Sequence, residues 1–529
     1  MLVRRLMEWA DAQPDRPWIE FEQQRVVWTY GAGVDQVRAW ATRLNQLGVR
    51  PGDRVGLLLD NSPEFVGALF GSSMLGAAIV PINTALRGVS LSHVIGDADL
   101  ALLVTQSDYE RAIQEASRGL AGELPRLLTV GPITDPSSSD FSRGQPVDLV
   151  DREGRHPFAV MYTSGTTGPS KGSLWNHGTA MNWAETTARH MRYVSDDVVY
   201  TCLPLFHANA MATALFPVTV AGAKLHVAEK FSVSGYWSSV TAAGATSTNL
   251  LGVMAERLLS AAEHPQERSH QLTRVLISPC PADIYHGLKD RFGVQPVEAY
   301  GLSDFGMLTW SDVDGNSPPG SCGRSVPDFE VKIVDPDDNE VEPGVTGECI
   351  ARPRLPWITP DGYHNNPTAT IASRTNLWFH TGDRMYRDVH GYFYFVERTT
   401  DSIRRRGENI SAHEVEVVGI RFEGIRQIAA YAVDIEGGEQ EVAIAVVIDP
   451  EAPFDPVALL RHMWQELPFY AVPRFVRVVD ELPQSQTQKV LKYQLRADGV
   501  EGAWDRDCAG LRIDRSGFFL SMSAPEVDR

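Results

Sequence analysis

Residues 162–172 read Tyr-Thr-Ser-Gly-Thr-Thr-Gly-Pro-Ser-Lys-Gly and follow an apolar run, Phe158 to Met161, that predicts a buried strand. The glycines leave backbone N–H groups accessible, the hydroxyls add donors, and Lys171 adds a positive charge, so this stretch predicts a cradle for phosphate. It differs from a P-loop because Ser170, rather than glycine, precedes the lysine. We expect a helix after this cradle (residues 162–172). A flexible Ser/Thr/Gly surface loop is the alternative interpretation.

The composition is that of a globular protein. The chain has 529 residues, of which 43% are hydrophobic and 22% are charged, and this excludes a disordered, collagen-like or coiled-coil protein. Lys and Arg number 48 against 67 Asp and Glu, a formal net charge of −19, which argues against nucleic acid or an anionic membrane as the main partner. The length predicts one large domain with a small one, or about three to four domains.

Cysteine usage and the first residues indicate a cytoplasmic protein. The five cysteines have no paired spacing, which is typical of reduced thiols rather than of disulfides or a zinc site; they are Cys202, Cys280, Cys322, Cys349 and Cys508. The first residues contain no apolar stretch of signal-peptide length. The uncharged stretch Phe65 to Ile82 is interrupted by glycine, serine and proline, so it predicts a buried helix and strand and not a membrane span.

Helix and strand signals alternate through most of the chain. Val55 to Leu59 predicts a buried strand, and Ser62-Pro63-Glu64 predicts the start of the next helix. The same rhythm returns at Asp283 to Phe292, a predicted helix, and Val294 to Tyr300, a predicted strand. This alternation predicts an α/β fold whose mostly parallel sheets are covered by helices.

The last part of the chain has a different pattern. Ile428 to Val433 and Glu441 to Ile448 alternate around a glycine pair and predict a hairpin. A helix, a strand and a second helix are predicted after it, at Val457 to Leu467, Phe475 to Val479 and Leu491 to Arg496. We therefore predict a large unit over residues 1–400, a small α+β unit over 401–500 and an appended tail over 501–529.

A second motif, residues 298–306, lies at the end of a predicted strand. Tyr300 offers a face for a base, Ser303 a hydroxyl for a phosphate, and Asp304 a carboxylate for Mg²⁺. Ligands of open parallel sheets bind beyond the carboxyl ends of the strands, where these side chains are expected. Alone, the same letters also suit an ordinary helix N-cap.

Two further motifs carry charge. Asp383 follows a glycine turn and is suited to accept both ribose hydroxyls, while Arg398 is suited to a phosphate; a surface salt bridge is the alternative. Lys489 precedes the last predicted helix, where a lone lysine is usually only solvated.

Together, in this order and spacing, the four motifs resemble those of the adenylate-forming superfamily, which includes acyl-CoA synthetases, peptide-synthetase adenylation domains and beetle luciferases. The resemblance covers nearly the whole chain, and residues 60–65, 80–83 and 229–232 look most like the acyl-CoA ligase branch, including crotonobetaine/carnitine-CoA ligases. It implies a large N-terminal domain and a mobile C-terminal lid joined at a hinge, which here is Asp401. It also implies that a carboxylic acid attacks the α-phosphate of Mg·ATP to give acyl-AMP and pyrophosphate, and that the thiol of CoA then takes the acyl group and releases AMP. Relatives are often homodimers.

The resemblance implies roles for individual residues. The nucleotide-binding positions are Thr163, Ser164, Gly165, Thr166, Thr167, Gly168, Tyr300, Gly301, Leu302, Ser303, Asp383 and Arg398. Lys171 and Lys489 match the family's catalytic lysines, and His207 matches an aromatic gate beside the acyl group. Asp304 matches the metal ligand, and Gly407 and Glu408 match the lid loop that faces CoA. A core histidine is the alternative for His207.

Several departures from the family pattern surround nucleotide and metal handling. Asp304 stands where glutamate is usual, which retracts the carboxylate by ~1.3–1.5 Å, whereas Mg²⁺ tolerates little deviation from ideal octahedral geometry. Gln488 and Arg406 replace glycines, and the Ser-Pro-Cys-Pro-Ala of residues 278–282 replaces a glycine-rich adenine loop. These changes suggest that thioester formation is retained while ATP-dependent adenylation is weak or lost, with acyl-AMP supplied by a separate adenylating enzyme.

Other functions stay open on the sequence. The family's pocket positions are small or apolar, which permits a bulky hydrophobic acid, such as one of secondary metabolism, without selecting one. Core packing explains these residues equally well; they are Ala208, Ala210, Met211, Ala212, Leu250 and Gly252. A catalytically inactive adenylate-binding sensor or scaffold is the main alternative, and a luciferase-like oxygenase is another. Retention of all four charged positions, Lys171, Asp383, Arg398 and Lys489, favours an enzyme.

Overall fold

The computed structural model describes residues 1–120, 122–131, 147–163, 169–398, 402–435, 439–449, 453–483, 490–515 and 517–520. Its largest sheet has nine strands, parallel in the centre and antiparallel at both edges. From edge to edge, these strands are Arg324–Ser325, Gly306–Trp310, Gln295–Leu302, Arg274–Ser278, Ser247–Leu251, Val198–Thr201, Lys224–Val227, Pro17–Phe21 and Val26–Thr29.

A second sheet has six strands, all parallel except the last pair. Its strands are, in order, Arg126–Val130, Leu102–Gln106, Arg54–Leu58, Ala78–Pro81, Pro157–Thr163 and Lys171–Asn176. One hydrophobic core contains buried residues of both sheets, including Trp18, Trp28 and Phe158, together with Phe70 of the helix Pro63–Met74. The two strands that flank the cradle therefore start from a rigid, buried base.

Helices cover these sheets. They span Leu2–Ala12, Tyr30–Gln46, Pro63–Met74, Gly88–Asp97, Ser107–Ser117, His177–His190, Ala208–Ala210, Phe216–Ala221, Tyr236–Ala243, Gly252–Ser260, Ala282–Gly287 and Pro367–Ala372, with π-helical turns at Met211–Leu215 and Leu288–Phe292 and a 3₁₀ turn at Thr375–Leu377. The predicted start at Ser62 is confirmed, because its hydroxyl accepts the N–H of Phe65 and Pro63 occupies the first turn. The whole of Pro63–Met74 is buried, and no helix in the described part of the chain is long and apolar enough to cross a bilayer.

An antiparallel sheet of four strands completes the large unit: Phe329–Val334, Gly347–Pro353, Phe379–Arg387 and Phe393–Arg398. Phe305 stacks on Phe379 with ring centroids 4.6 Å apart, which ties this sheet to the nine-stranded sheet. Asp383 lies on its third strand and is thereby brought beside the second motif.

The C-terminal residues form a small α+β unit with its own core, and we call residues 402–520 the lid. Its four-stranded sheet and a preceding hairpin consist of Ile425–Asp434, Gln440–Ile448, Phe475–Val478 and Trp504–Asp505, and of Ser402–Arg405 and Glu408–Ser411. Its helices are Ala412–Gly419, Pro456–Glu466 and Lys492–Ala497, with a 3₁₀ turn at Phe469–Ala471. The predicted α/β fold with a small C-terminal α+β lid is confirmed, and the domain boundaries stay predictions.

A second hairpin, Leu511–Asp514 with Gly517–Leu520, follows the lid sheet, and we call it the tail hairpin. It packs on the helix Pro456–Glu466, where the indole N–H of Trp464 donates to the carbonyl of Asp514 over 3.4 Å. The described residues of the predicted tail are therefore part of the folded lid, and the strand Trp504–Asp505 within the tail pairs with Phe475–Val478.

One expectation from the sequence is wrong. A strand, Lys171–Asn176, and not a helix, begins at the end of the cradle, and it pairs antiparallel with Pro157–Thr163. The cradle is therefore the connection of a β-hairpin. Backbone pairing with an already buried strand outweighs local helix preference here, and the helix His177–His190 begins only after Asn176, whose side chain accepts the N–H of Thr179.

Candidate functional site

The two ends of the cradle meet the second motif. Thr163 and Lys171 are paired across the hairpin, and the hydroxyl of Thr163 donates to Oδ1 of Asp304 over 2.9 Å. The hydroxyl of Tyr363 donates to Oδ2 of Asp304 over 3.0 Å, and Nζ of Lys171 lies 5.3 Å from the centroid of the Tyr363 ring. A cation, a carboxylate and two hydroxyls thus converge at the mouth of the cradle. Ser164, Gly165, Thr166, Thr167 and Gly168 lie outside the described residues.

The end of the strand Gln295–Leu302 is fastened to the strand after the cradle. The carbonyl of Ser303 accepts the indole N–H of Trp175 over 2.7 Å and the hydroxyl of Ser173 over 3.3 Å. Gly301 and Leu302 pair with the next strand at Met307 and Gly306. These contacts fix the backbone of the predicted nucleotide-binding segment against the cradle.

Tyr300 and Asp383 are also brought together. The phenol of Tyr300 donates to Oδ2 of Asp383 over 2.7 Å, and Asp383 is only 1% exposed. Burial raises the pKa of Tyr300 well above its ordinary value, so this hydroxyl stays protonated and available as a donor. A ribose hydroxyl that binds Asp383 would therefore have to share this carboxylate with Tyr300. Arg398 pairs with Asp383 through its backbone at the end of the neighbouring strand.

Asp304 is the candidate ligand for Mg²⁺. Among the described residues, no group of three or more His, Cys, Asp or Glu side chains could hold a metal ion. Mg²⁺ is commonly held by one or two carboxylates, several waters and the phosphates of a nucleotide, so a lone carboxylate at the cradle fits Mg²⁺ that arrives with a nucleotide. Because both oxygens of Asp304 already accept hydroxyl protons, metal binding competes with those hydrogen bonds.

His207 and Glu408 meet across the interface between the large unit and the lid. Nε2 of His207 lies 3.1 Å from Oε1 of Glu408. Asn83 joins this cluster, since its amide donates to Oε2 of Glu408 over 3.4 Å and to the hydroxyl of Tyr470 over 3.0 Å. Burial alone would lower the pKa of His207, but the charge and hydrogen bond of Glu408 outweigh it and raise that pKa above its ordinary value.

The turn before Glu408 approaches the large unit closely. Gly407 has a φ of +84°, and a Cβ added to it would lie 2.3 Å from Cδ1 of Leu251. Arg406 precedes it with a φ of +50° and directs its guanidinium to Glu441 of the lid, 4.0 Å away. The side chain of Arg406 therefore lies near the lid's own sheet.

Two cations flank an aromatic ring farther out along the same interface. The guanidinium of Arg87 lies 6.0 Å from the centroid of Tyr109, and that of Arg515, from the tail hairpin, lies 5.5 Å from it. Arg515 also pairs with Asp60 over 3.1 Å and donates to the hydroxyl of Tyr109. Both arginines line a cavity of about 1230 Å³ between the large unit and Trp464 of the lid.

Sequence reasoning assigned no role to Tyr363, Asn83 or Tyr470. Asn83 lies two positions after the strand Ala78–Pro81, and a polar side chain just beyond the carboxyl end of a parallel strand is a signal that could have identified it. Tyr363 and Tyr470 carry no such signal. Lys489 and the predicted hinge Asp401 lie outside the described residues, so their roles stay predictions.

The fold and the site define a nucleotide-binding enzyme of α/β architecture with a C-terminal lid. Residues 6–355 match the family described as AMP-binding enzyme, and residues 414–489 match its C-terminal domain. The chain therefore belongs to the AMP-binding enzyme family, in the acyl-CoA synthetase branch of the adenylate-forming superfamily.

Similar proteins agree with this membership. The chain is 31% identical over 517 residues to the medium/long-chain-fatty-acid–CoA ligase FadD6 of Mycobacterium tuberculosis, covering 91% of this chain and 83% of that one. It is 28% identical over 507 residues to a crotonobetaine/carnitine–CoA ligase of Salmonella paratyphi A, covering 92% and 97%. The fold is also that of o-succinylbenzoate CoA synthetase from Bacillus subtilis, with a TM-score of 0.82 at 24% identity, covering 93% and 97%.

Proposed function

We propose that this protein forms an acyl-CoA thioester from a carboxylic acid through an acyl-adenylate. The contact between Glu408 of the lid and His207 of the large unit carries the proposal, because it brings the lid loop to the gate predicted beside the acyl group. In this arrangement Gly407 packs on Leu251 and leaves the backbone, rather than a side chain, at the interface. ATP and CoA are the proposed co-substrates, in keeping with the acyl-CoA ligases in the family.

For the nucleotide, we assign Tyr300 to the base, Asp383 to the ribose and the cradle with Lys171 to the phosphates. The convergence of Thr163, Lys171 and Asp304 supports this assignment, since a cation and donors at one mouth suit a polyphosphate. Mg²⁺, when bound at Asp304, would neutralise phosphate charge. Lys489 is the proposed cation on the α-phosphate during adenylation.

The adenylation half-reaction is the weaker one in this proposal. Asp304 is one methylene shorter than glutamate, and both of its oxygens are engaged by the hydroxyls of Thr163 and Tyr363. A metal at that place would have to share the carboxylate with these two donors, which leave one lone pair on each oxygen. Transfer from acyl-AMP to CoA requires no such ligand, because AMP is already a good leaving group. A separate enzyme that supplies acyl-AMP is part of this proposal.

For the acid, we propose a bulky and largely hydrophobic molecule. The expected pocket positions are buried, including Ala210, Met211 and Leu250. One polar point stands beside them: the amide of Asn249 donates to Oδ1 of Asn209 over 3.0 Å, while Oδ1 of Asn249 is buried and has no partner among the described residues. An acid with a single N–H or O–H donor would satisfy that oxygen.

For CoA, we propose entry along the interface through the cavity beside Tyr109. Arg87 and Arg515 converge on the Tyr109 ring, and two guanidinium groups at one place suit a phosphate. Asn83 of the large unit contacts both Tyr470 and Glu408 of the lid, so it links the interface to the His207 cluster.

Two half-reactions, measured separately, test the proposal. In the first, an acid panel is incubated with ATP and Mg²⁺ and pyrophosphate release is followed; in the second, the acyl-AMP is incubated with CoA and thioester is followed. We expect thioester from acyl-AMP and little pyrophosphate, and we expect Asp304→Glu to raise pyrophosphate release at least about tenfold while leaving the second reaction unchanged. Robust pyrophosphate release by the unmodified protein refutes the weak-adenylation part, and absence of thioester refutes the enzyme in favour of a binding protein.

A further inference from the structure

Two asparagines of the large unit, Asn209 and Asn249, form a hydrogen-bonded pair that is only half used, and we call them the asparagine pair. The amide of Asn249 donates to Oδ1 of Asn209 over 3.0 Å. Asn249 is 1% exposed, and its own Oδ1 is buried and accepts no hydrogen bond from the described part of the chain. The amide nitrogen of Asn209 likewise donates to no residue that the structure describes. The pair thus has one acceptor and one donor for which the described residues supply no partner.

The asparagine pair lies close to the gate and to the lid turn. Asn209 follows the predicted gate His207 by two positions, so their Cα atoms are at most ~7 Å apart. Asn249 and Leu251 share one face of the strand Ser247–Leu251, because alternate side chains of a strand point the same way. Leu251 is the residue that packs on Gly407 of the lid. A ligand that reaches the gate therefore has the pair within its surroundings.

The local backbone fixes Asn209. The hydroxyl of Thr213 donates to the carbonyl of Asn209 and lies 3.1 Å from its Oδ1. Thr213 belongs to the π-helical turn Met211–Leu215, a rare geometry that occurs frequently at functional sites. Exchanging oxygen and nitrogen in both amides keeps the hydrogen bond between them and again leaves one acceptor and one donor. The chemistry that the pair offers is therefore the same for either orientation of the two amides.

We propose that the asparagine pair recognises a neutral group that both donates and accepts a hydrogen bond, as a hydroxyl does, on the acyl part of the acid. The inference rests on the proposed function and narrows its substrate class from a hydrophobic acid to a hydrophobic hydroxy acid. A hydroxyl donates to the unpaired oxygen and accepts from the unpaired amide. An unsubstituted hydrocarbon leaves both polar groups buried and unpaired, and a second carboxylate has no proton to give to the oxygen.

Matched pairs of synthetic acyl-AMPs are the probes: para-hydroxycinnamoyl-AMP with cinnamoyl-AMP, and ω-hydroxydecanoyl-AMP with decanoyl-AMP. Binding is measured by calorimetry without CoA, and thioester formation is measured separately as kcat/KM. The main variant is Asn249→Leu, which keeps the size of the side chain and removes its polar atoms. Asn209→Ala, at a half-buried position, is the second variant. Asn182→Leu is the matched control, because Asn182 is also buried with an Oδ1 that lacks a described partner, but its amide donates to Asp328 on another part of the large unit.

We expect the hydroxyl-bearing member of at least one pair to bind at least about tenfold more tightly, and to react with a kcat/KM higher by a similar factor, in the unmodified protein and in Asn182→Leu. The preference should disappear in Asn249→Leu and fall about threefold or more in Asn209→Ala. Binding without this preference, binding of none of the acyl-AMPs, or a preference that survives in both variants overturns the inference. A binding preference without thioester formation refutes the proposed function and leaves recognition of the hydroxyl standing.

Discussion

The imidazole of His207 and the carboxylate of Glu408 belong to different units, and their contact makes docking of the lid depend on pH. Glu408 raises the pKa of His207 above 6.5 in the docked state, so the protonated imidazole favours docking. This contribution is fully present below pH 6.5 and is lost as the pH rises through the raised value. Energy transfer between a dye on the exposed Cys508 of the lid and a dye on a cysteine introduced at the exposed position Gln114 of the large unit reports docking. We expect this transfer, measured without ligands, to fall as the pH is raised across that window.

The control for this pH dependence is Glu408→Gln, which keeps a hydrogen-bond acceptor and removes the charge that raises the pKa. Its docking should be weaker below pH 6.5 and flatter with pH than that of the unmodified protein. An unchanged pH profile in Glu408→Gln would show that another group titrates and that the contact between His207 and Glu408 does not cause the pH dependence of docking.

Individual residues differ in how far the sequence could reveal them. Thr163 and Asp304 each lie at or just after the carboxyl end of a predicted strand, so both could be expected in a ligand site, and Lys171 belongs to the same cradle as Thr163. Their strands belong to different sheets, so the meeting of the two motifs was implied by the family resemblance and not by the strand pattern. Tyr363 and the lid residue Glu414 could not be placed in this way, since their partners in the large unit are 59 and 244 residues away along the chain. Their contacts depend on how separate sheets and the lid pack, which periodicity in a sequence does not encode.

At the scale of elements, buried strands and capped helices were predictable where two signals agreed. The helix Pro63–Met74 combines an N-cap serine, a first-turn proline and an apolar run, and it begins where predicted. The strand Lys171–Asn176 carries only a short apolar signal, and its strand conformation depends on pairing with Pro157–Thr163. The sequence analysis predicted a helix there because the local sequence does not show the pairing with Pro157–Thr163, which lies on the other side of the cradle.

The turn at Gly407 offers a test at this scale. Gly407→Ala should cost about 1 kcal/mol for the positive φ and should also bring a Cβ against Leu251, so the lid docks poorly. We expect thioester formation from acyl-AMP and CoA to fall at least about tenfold, measured as kcat/KM for CoA.

Gly391→Ala is the matched control for that substitution. Gly391 has a φ of +85°, nearly that of Gly407, but nothing lies within 4 Å of an added Cβ. It should therefore show the backbone cost in a thermal unfolding measurement and leave thioester formation unchanged. Equal loss of activity in both variants would mean that strain, and not contact with Leu251, limits docking.

At the scale of the whole molecule, alternating elements predicted the α/β architecture, and the order of four motifs predicted the family. The antiparallel sheet that carries Asp383 was not predicted, because its second and third strands, Gly347–Pro353 and Phe379–Arg387, pair residues that are 28 to 38 positions apart along the chain. The packing of the tail hairpin was also beyond the sequence, since its contacts with Asp60 and Tyr109 join residues more than 400 apart.

The tail hairpin ties the lid to the large unit through Arg515. An exposed ion pair contributes about 0–1 kcal/mol, so Arg515→Ala should lower the docked fraction of the lid by about twofold to fivefold, as reported by dye transfer without CoA. Arg512→Ala on the same hairpin is the control, because Arg512 pairs only with Asp514 beside it among the ion pairs that the structure describes. Equal dye transfer in Arg515→Ala and Arg512→Ala would contradict the claim that Arg515 holds the lid to the large unit.

This tie also makes the tail hairpin a reporter of turnover. A lid that rotates must release Arg515 from Asp60, and the freed segment around Arg512 and Arg515 then becomes a better substrate for trypsin, which cleaves after arginine. Digestion at these positions should accordingly be slow when the lid is docked and fast when ligands hold it away. Partial digestion patterns can thus distinguish stages of the reaction cycle in unlabelled protein, and affinity tags attached near residue 520 are best avoided in such work.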